Sequence, residues 1–204
     1  NGVPFLNAGN VHKWLCTLFS DHSQTPDYDQ IETLLKSSVP GANGLIALPY
    51  LLGERFPVLD PAVRGAFAGI TPETGKGDMV RAMLESVAYS IRQGMEMIGE
   101  KPVSVSLIGG GGQSSGWCQI MADILGQRIT VLQDSDTIPA RAIAAAALIG
   151  EGVHSDYRTF VNGLDQDRQA SVYIPNDENH AFYNNQYPRA VRLYEALAGW
   201  FRQD

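Results

Sequence analysis

Four consecutive glycines, Gly109-Gly110-Gly111-Gly112, follow the β-favouring run Val105-Ser106-Leu107-Ile108 and precede an amphipathic stretch from Trp117 to Leu125. That order reads as a buried strand, a turn and a helix. Glycine lets the backbone take positive φ and come close to a bound group, and N–H groups at a helix start suit a phosphate. Gly109, Gly110, Gly111 and the following Ser114 are therefore the first candidates for contact with a nucleotide. A tight strand-to-helix turn would also need glycine for geometry alone, but that need is met by one or two residues.

Absent residues narrow the kind of site. A P-loop ends in Gly-Lys-Ser/Thr so that lysine reaches the outer phosphates, and here Gln113 follows the last glycine. A dinucleotide fingerprint needs a third glycine three residues after its second. Those places hold Ser114 and Ser115. Asp134 stands near the place of a ribose-binding acid, so a dinucleotide-binding oxidoreductase domain stays as an alternative, beside a non-catalytic protein that keeps the fold for interaction.

The elements that must position this turn alternate between strand and helix. A strand or strand remnant is expected over 3–6, then a helix over 8–19 with Val11, Leu15, Leu18 and Phe19 on one face. A second helix spans 27–36 with Asp27 as N-cap. Strands follow at 44–48 and 65–70, separated by an ordered surface loop. The longest helix runs over 78–98, with Asp78 as its N-cap. Ala82, Ser86 and Ser90 make one face of it thin, so a neighbour should pack closely there. Beyond the glycine turn lie a strand over 128–132 and an alanine-rich helix over 140–149, whose lack of bulk implies close helix packing or a nearby ligand. A short helix or turn at 155–162 and a terminal helix over 178–201, broken at Pro188, complete an α/β domain.

The chain has 204 residues, 44% hydrophobic and 18% charged, enough to bury one good core or two small ones. Its net charge of −7 argues against a broad nucleic-acid surface. Cys16 and Cys118 are the only cysteines, too few for a disulfide framework or a zinc site, and read as reduced core thiols. No apolar run approaches the ~20 residues of a bilayer span, and no secretory leader is seen, so a cytoplasmic address without membrane contact is expected. Because Asn1-Gly2-Val3 lacks an initiator Met, the chain is expected to be a piece of a longer protein.

Four segments in register resemble the FGGY carbohydrate kinases. Gly65-Ala66-Phe67-Ala68-Gly69-Ile70, with Asp78 to Glu85 after it, is similar to the family's second signature. Ala8-Gly9-Asn10-Val11-His12-Lys13-Trp14-Leu15 resembles the helix that opens its C-terminal domain. Pro49 to Arg55, with Asp60-Pro61 and Arg64-Gly65, resembles its Gly-Glu-Arg loop. Gly109 to Gln119 with Ala122 to Gly126 is similar to its adenosine-phosphate motif. The match covers roughly residues 1–200.

The resemblance implies one ribonuclease-H-like lobe of the actin and hexokinase type, a mixed sheet flanked by helices, forming the C-terminal half of a two-lobed enzyme. Its partners would be its own N-terminal lobe and a small sugar, and a homodimer is left open. ATP and Mg2+ would be the cofactors. Gly9 and Lys13 correspond to positions near the nucleotide phosphates, and Gly110 and Ser114 to positions beside the phosphates and adenosine. Some relatives carry asparagine where Ser114 stands. An exposed lysine on a helix face would account for Lys13 equally well.

Phosphoryl transfer to a hydroxyl needs a base and magnesium. The resemblance assigns both to the lobe this chain does not match, so no catalytic residue and no metal ligand is expected here. Asp60, Asp78, Asp123 and Asp134 are read as turn, cap, helix and loop residues. His12, His22, His154 and His180 show no ligand spacing beyond His12 and Cys16, one turn apart. The Leu51-Leu52-Gly53-Glu54-Arg55 and Asp-Pro-x-x-Arg-Gly sequences look most like those of xylulose kinases, then gluconate kinases.

Overall fold

The computed structural model describes residues 4–19, 26–99, 102, 104–132, 137–164 and 170–202. The expected strand at 3–6 lies partly outside that set, and Pro4 to Leu6 are not in a strand. Helix α1 (Gly9–Phe19) and α2 (Tyr28–Lys36) come first, with Asp27 capping α2 by accepting the Gln30 N–H at 2.9 Å. Strands β1 (Ile46–Leu48) and β2 (Ala66–Ala68) pair antiparallel as a two-stranded ribbon. The long helix α3 (Lys76–Ile98) leads to β3 (Val105–Leu107), α4 (Ser115–Leu125) and β4 (Ile129–Leu132). Then come α5 (Ile138–Gly150), α6 (Tyr157–Leu164), β5 (Ala170–Tyr173) and α7 (Asp177–Phe201). The second sheet is mixed, in the order β3-β4-β5, parallel then antiparallel. The expected α/β class with helices around a mixed sheet is what the chain adopts.

Helix α3 is the centre of the body and touches α1, α2, α4, α7 and β1. Its thin face meets β1. Ala82, Ser86 and Tyr89 share a small crevice with Ile46 and Ala47, and Ser90 joins Leu48 and Tyr50 one turn further on. The other side of α3 buries Val80, Leu84 and Val87, and the Leu84 carbonyl accepts the Trp117 indole N–H from α4 at 3.2 Å. Burying each such aliphatic side chain contributes about 1.5–3 kcal/mol.

Acidic groups are also buried here, and each is tied. Glu85, 3% exposed, accepts the Gly41 N–H at 2.9 Å and the Tyr183 hydroxyl at 2.6 Å, with Arg81 at 3.6 Å. Burial pushes its carboxyl up to about 7, against the opposing pull of those donors.

Several boundaries differ from expectation for physical reasons. Helix α3 starts two residues earlier, and Asp78 caps it from its third position by accepting the Gly75 N–H at 3.0 Å. The loop after β1 is not merely surface. Glu54 is 1% exposed and holds the Leu6 N–H and the Asn7 amide at 2.8 and 3.0 Å. Helix α7 runs unbroken through Pro188, because Tyr183 and Ala190 on either side are both packed into the core. Strand β3 is half-exposed rather than buried, since it forms one edge of its sheet. The alanine-rich helix α5 is not closely packed either: Ala145 is its one buried residue, and Ile143 is 74% exposed. Among the described residues no helix is long and apolar enough to cross a membrane.

Candidate functional site

The glycines of the turn differ in what they require. Gly109 has φ +88, a conformation that side chains rarely adopt. Gly110 opens a short 3-10 turn, Gly110–Gln113, and is not among the positive-φ residues, so it needs no glycine for its own backbone. A Cβ on Gly111 would come within 2.9 Å of the Trp117 ring, so Gly111 lets that ring lie against the chain. A Cβ on Gly109 or Gly110 would meet no atom within 4 Å, and the same holds for Gly9 at the start of α1. Gly109 and Gly110 therefore face open space.

Helix α1 lies against this turn. Inside the contact, the His12 ring stands edge-on to Trp117 at 5.3 Å and to Tyr28 at 4.9 Å. His12 is 1% exposed, neither ring nitrogen has a hydrogen-bond partner, and burial lowers its pKa, which keeps the ring neutral. Lys13, the next residue, is exposed. Gly9 and the exposed Lys13 thus belong to a helix that is in contact with the glycine turn.

Ser114 sits differently from expectation. It is 3% exposed and is the N-cap of α4, its hydroxyl oxygen accepting the Trp117 N–H at 3.2 Å. The same hydroxyl donates to the Glu32 carboxylate of α2. Glu32 also accepts the Gly116 N–H, at 3.3 Å to each of its oxygens, and the Cys118 N–H bonds the Ser114 carbonyl at 3.0 Å. A helix leaves its first N–H groups unpaired, yet here those of Gly116 and Trp117 are filled by side chains of the protein. The expected phosphate seat at the start of α4 is already occupied by a carboxylate. What remains open to a ligand is the turn before it.

The turn is fastened to α4 as well. The Gly112 N–H bonds the Gly109 carbonyl at 3.1 Å, and the Ser114 N–H bonds that of Gly111 at 3.4 Å. The Cys118 thiol donates to the Gly112 carbonyl at 3.7 Å. Burial pushes both thiols, Cys16 and Cys118, up to about 11, in keeping with buried reduced cysteines.

The described carboxylates that could tempt a catalytic assignment are committed elsewhere. Asp60 accepts from the Ala62 N–H, the Tyr194 hydroxyl and the Arg202 guanidinium at 2.9–3.1 Å. Burial works to raise its pKa, but those donors hold it below its ordinary value. Asp78 receives Ser38, Asn43 and the Gly75 N–H. Asp123 receives Gln119, the Asn176 N–H and Asn179, which fixes the start of α7 on α4. Asp134 and His22 lie outside the described residues. His180 bonds the Asp123 carbonyl at 2.7 Å, and His154 stands against the Phe160 ring. Among the described residues no group of three or more His, Cys, Asp or Glu could hold a metal ion.

Sequence reasoning missed Glu32. On α2 it reads as one polar residue of a solvated face, and its contact with Ser114 spans 82 residues. No local pattern signals such a pairing.

The model of the FGGY family of carbohydrate kinases, C-terminal domain, matches residues 5–150. A xylulose kinase of Staphylococcus epidermidis is 34% identical over 195 residues, a stretch covering 94% of this chain and 37% of that protein. A xylulose kinase of Escherichia coli is 36% identical over 153 residues, covering 74% of this chain and 31% of that protein. The solved structure of a gluconate kinase from Lactobacillus acidophilus superposes with a TM-score of 0.75 at 30% identity, covering 96% of this chain and 39% of that one. The chain thus spans between 31% and 37% of the curated relatives it matches here.

Proposed function

The chain belongs to the FGGY family of carbohydrate kinases, and from that premise we propose that it is the nucleotide-binding C-terminal lobe, residues 1–204, of a two-lobed ATP-dependent sugar kinase. The observation that carries this reading is the contact of α1 with the glycine turn, where an added Cβ on Gly9, Gly109 or Gly110 would meet no atom within 4 Å. A backbone with no Cβ in the way can bring its N–H groups against phosphate oxygens. Lys13, exposed on the same helix as Gly9, supplies a mobile positive charge to them. ATP, when bound, supplies the phosphoryl group. The residues of this lobe hold and orient its phosphates and adenosine. Ser114 acts through its backbone and its cap, since its hydroxyl is engaged with Glu32.

The hydroxyl of the sugar needs a base within hydrogen-bond reach and a site closed to water. Asp60, Asp78 and Asp123 are tied into the fold, so the base is proposed to lie on the N-terminal lobe, as are the ligands of Mg2+. Closure of the two lobes over ATP then brings the γ-phosphate to the sugar. The dinucleotide alternative is set aside by family membership.

D-Xylulose is the proposed sugar. Support comes from the loop sequences at 51–65 and from two relatives named as xylulose kinases. Gluconate is the second reading, favoured by the likeness to a gluconate kinase structure. A coupled ADP-release assay on the complete polypeptide, with D-xylulose and gluconate in turn, decides between them. The 204-residue chain alone is expected to show no sugar-dependent turnover. Turnover near the rate of the complete enzyme would place catalysis on this lobe, and no turnover with any sugar in the complete polypeptide would favour a non-catalytic, interaction-only protein.

A further inference from the structure

Glu32 reaches from one helix to the first turn of another, as Asp123 does from α4 to the start of α7. Glu32 meets its turn twice, through the Ser114 hydroxyl and the Gly116 N–H. A Cβ on Gly116 would fall 3.0 Å from the Glu32 carboxylate and 2.6 Å from Leu35, so α2 and the start of α4 are in direct contact. Ser114 is at once the cap of α4 and the end of the glycine turn. Through the bonds from Ser114 to Gly111 and from Gly112 to Gly109, whatever fixes Ser114 also fixes the direction of the glycine backbone.

A carboxylate at a helix start is also where an incoming phosphate would otherwise settle. Its presence keeps phosphates off α4 and leaves them the open backbone at Gly109 and Gly110. We infer that Glu32 is a positioning residue for the nucleotide: it locks the α4 end of the glycine turn, so that ATP meets a preformed backbone and is held before the helix rather than on it. The inference rests on the reading of that turn as the nucleotide contact.

The test is isothermal titration of the complete kinase polypeptide with ATP, beside thermal denaturation, for Glu32→Ala, Glu32→Asp and Glu32→Gln. Glutamine keeps an oxygen that accepts from both Ser114 and Gly116, whereas aspartate keeps the charge but is one methylene too short. Expected are ATP affinities about ten-fold weaker for Glu32→Ala and Glu32→Asp, with Glu32→Gln matching wild type or binding more tightly. A lowered melting temperature with wild-type ATP affinity in the alanine and aspartate variants would reduce Glu32 to a helix cap and overturn the inference. Should Glu32→Ala fail to fold, the contrast between aspartate and glutamine decides alone. Wild-type protein that binds no ATP would instead overturn the nucleotide reading of the turn itself.

Discussion

Around α3, buried carboxylates are closed by donors; around the glycine turn, backbone is left facing outward. Glu85 has the Tyr183 hydroxyl and the Gly41 N–H, and Asp78 has Ser38, Asn43 and Gly75. By contrast, Gly9, Gly109 and Gly110 have nothing in the space a side chain would take. Neighbouring β3 is half-exposed, and α5 shows Ile143 outward. The first region is finished as a folded body, and the second leaves backbone uncovered, as the proposed nucleotide contact requires. Substitutions should therefore divide cleanly: those near α3 cost stability, and those at the turn cost binding.

The largest effect is expected from Glu85. Its folded pKa of about 7 stands above the ordinary carboxyl value of 4.5, so the folded state holds the proton more tightly than the unfolded chain does. The stabilisation is then fully present below about pH 4.5 and is lost as pH rises through about 7, a swing of about 3 kcal/mol. Urea denaturation between pH 4.5 and 8 measures it, with Glu85→Gln as the control that cannot titrate. Wild type should lose stability relative to the variant as pH rises, and parallel curves would show that Glu85 is not closed off from water.

Ala82→Leu comes next. Ala82 is 2% exposed and faces Leu45, Ile46 and Ala47 across a crevice too small for three more carbons. Overpacking should cost about 1–3 kcal/mol, read as a lower melting temperature. An unchanged or raised melting temperature would mean that the thin face of α3 has room, and the closed half of the comparison would fail there.

These two cases also show what the sequence made legible. Helical spacing along 78–98 exposed the core face of α3, and its small residues announced a close neighbour, which proved to be β1. Spacing could not locate β5, because an exposed edge strand carries no alternation of apolar and polar residues. The alanines of α5 left close helix packing or a nearby ligand open, and with Ala145 as its one buried residue the fold does not show the first. Of the site, the glycine turn and α1 were legible from residue types and from family resemblance. Glu32 was not, since its role exists only once α2 and α4 are packed together.

On the open side, Gly110→Val should reverse the pattern. The new side chain meets no protein atom, and the backbone there needs no positive φ, so stability should stay within about 0.5 kcal/mol of wild type. ATP affinity of the complete polypeptide should fall about ten-fold, because the side chain fills the path of the phosphates. Calorimetric titration and thermal denaturation on the same sample check both halves. Wild-type affinity in a well-folded variant would remove Gly110 from the site.

Lys13→Ala is expected to have the smallest effect, and it separates two accounts of one residue. As a solvated lysine on the outer face of α1, it would change neither stability nor binding. As a phosphate contact, it would act through a charge on a long, exposed side chain, with water between and around the partners. Exposed pairs of that kind contribute about 0.2–1 kcal/mol, so the loss in ATP affinity should be about 1.4- to five-fold. Such a contribution is screened by salt, over a Debye length of about 10 Å at 0.1 M and about 3 Å at 1 M. The difference between Lys13→Ala and wild type should therefore be clear at low ionic strength and vanish near 1 M salt, while the Gly110→Val defect, which is steric, should persist. Equal affinities at every salt concentration would leave Lys13 a solvated surface residue and confine the open site to backbone alone.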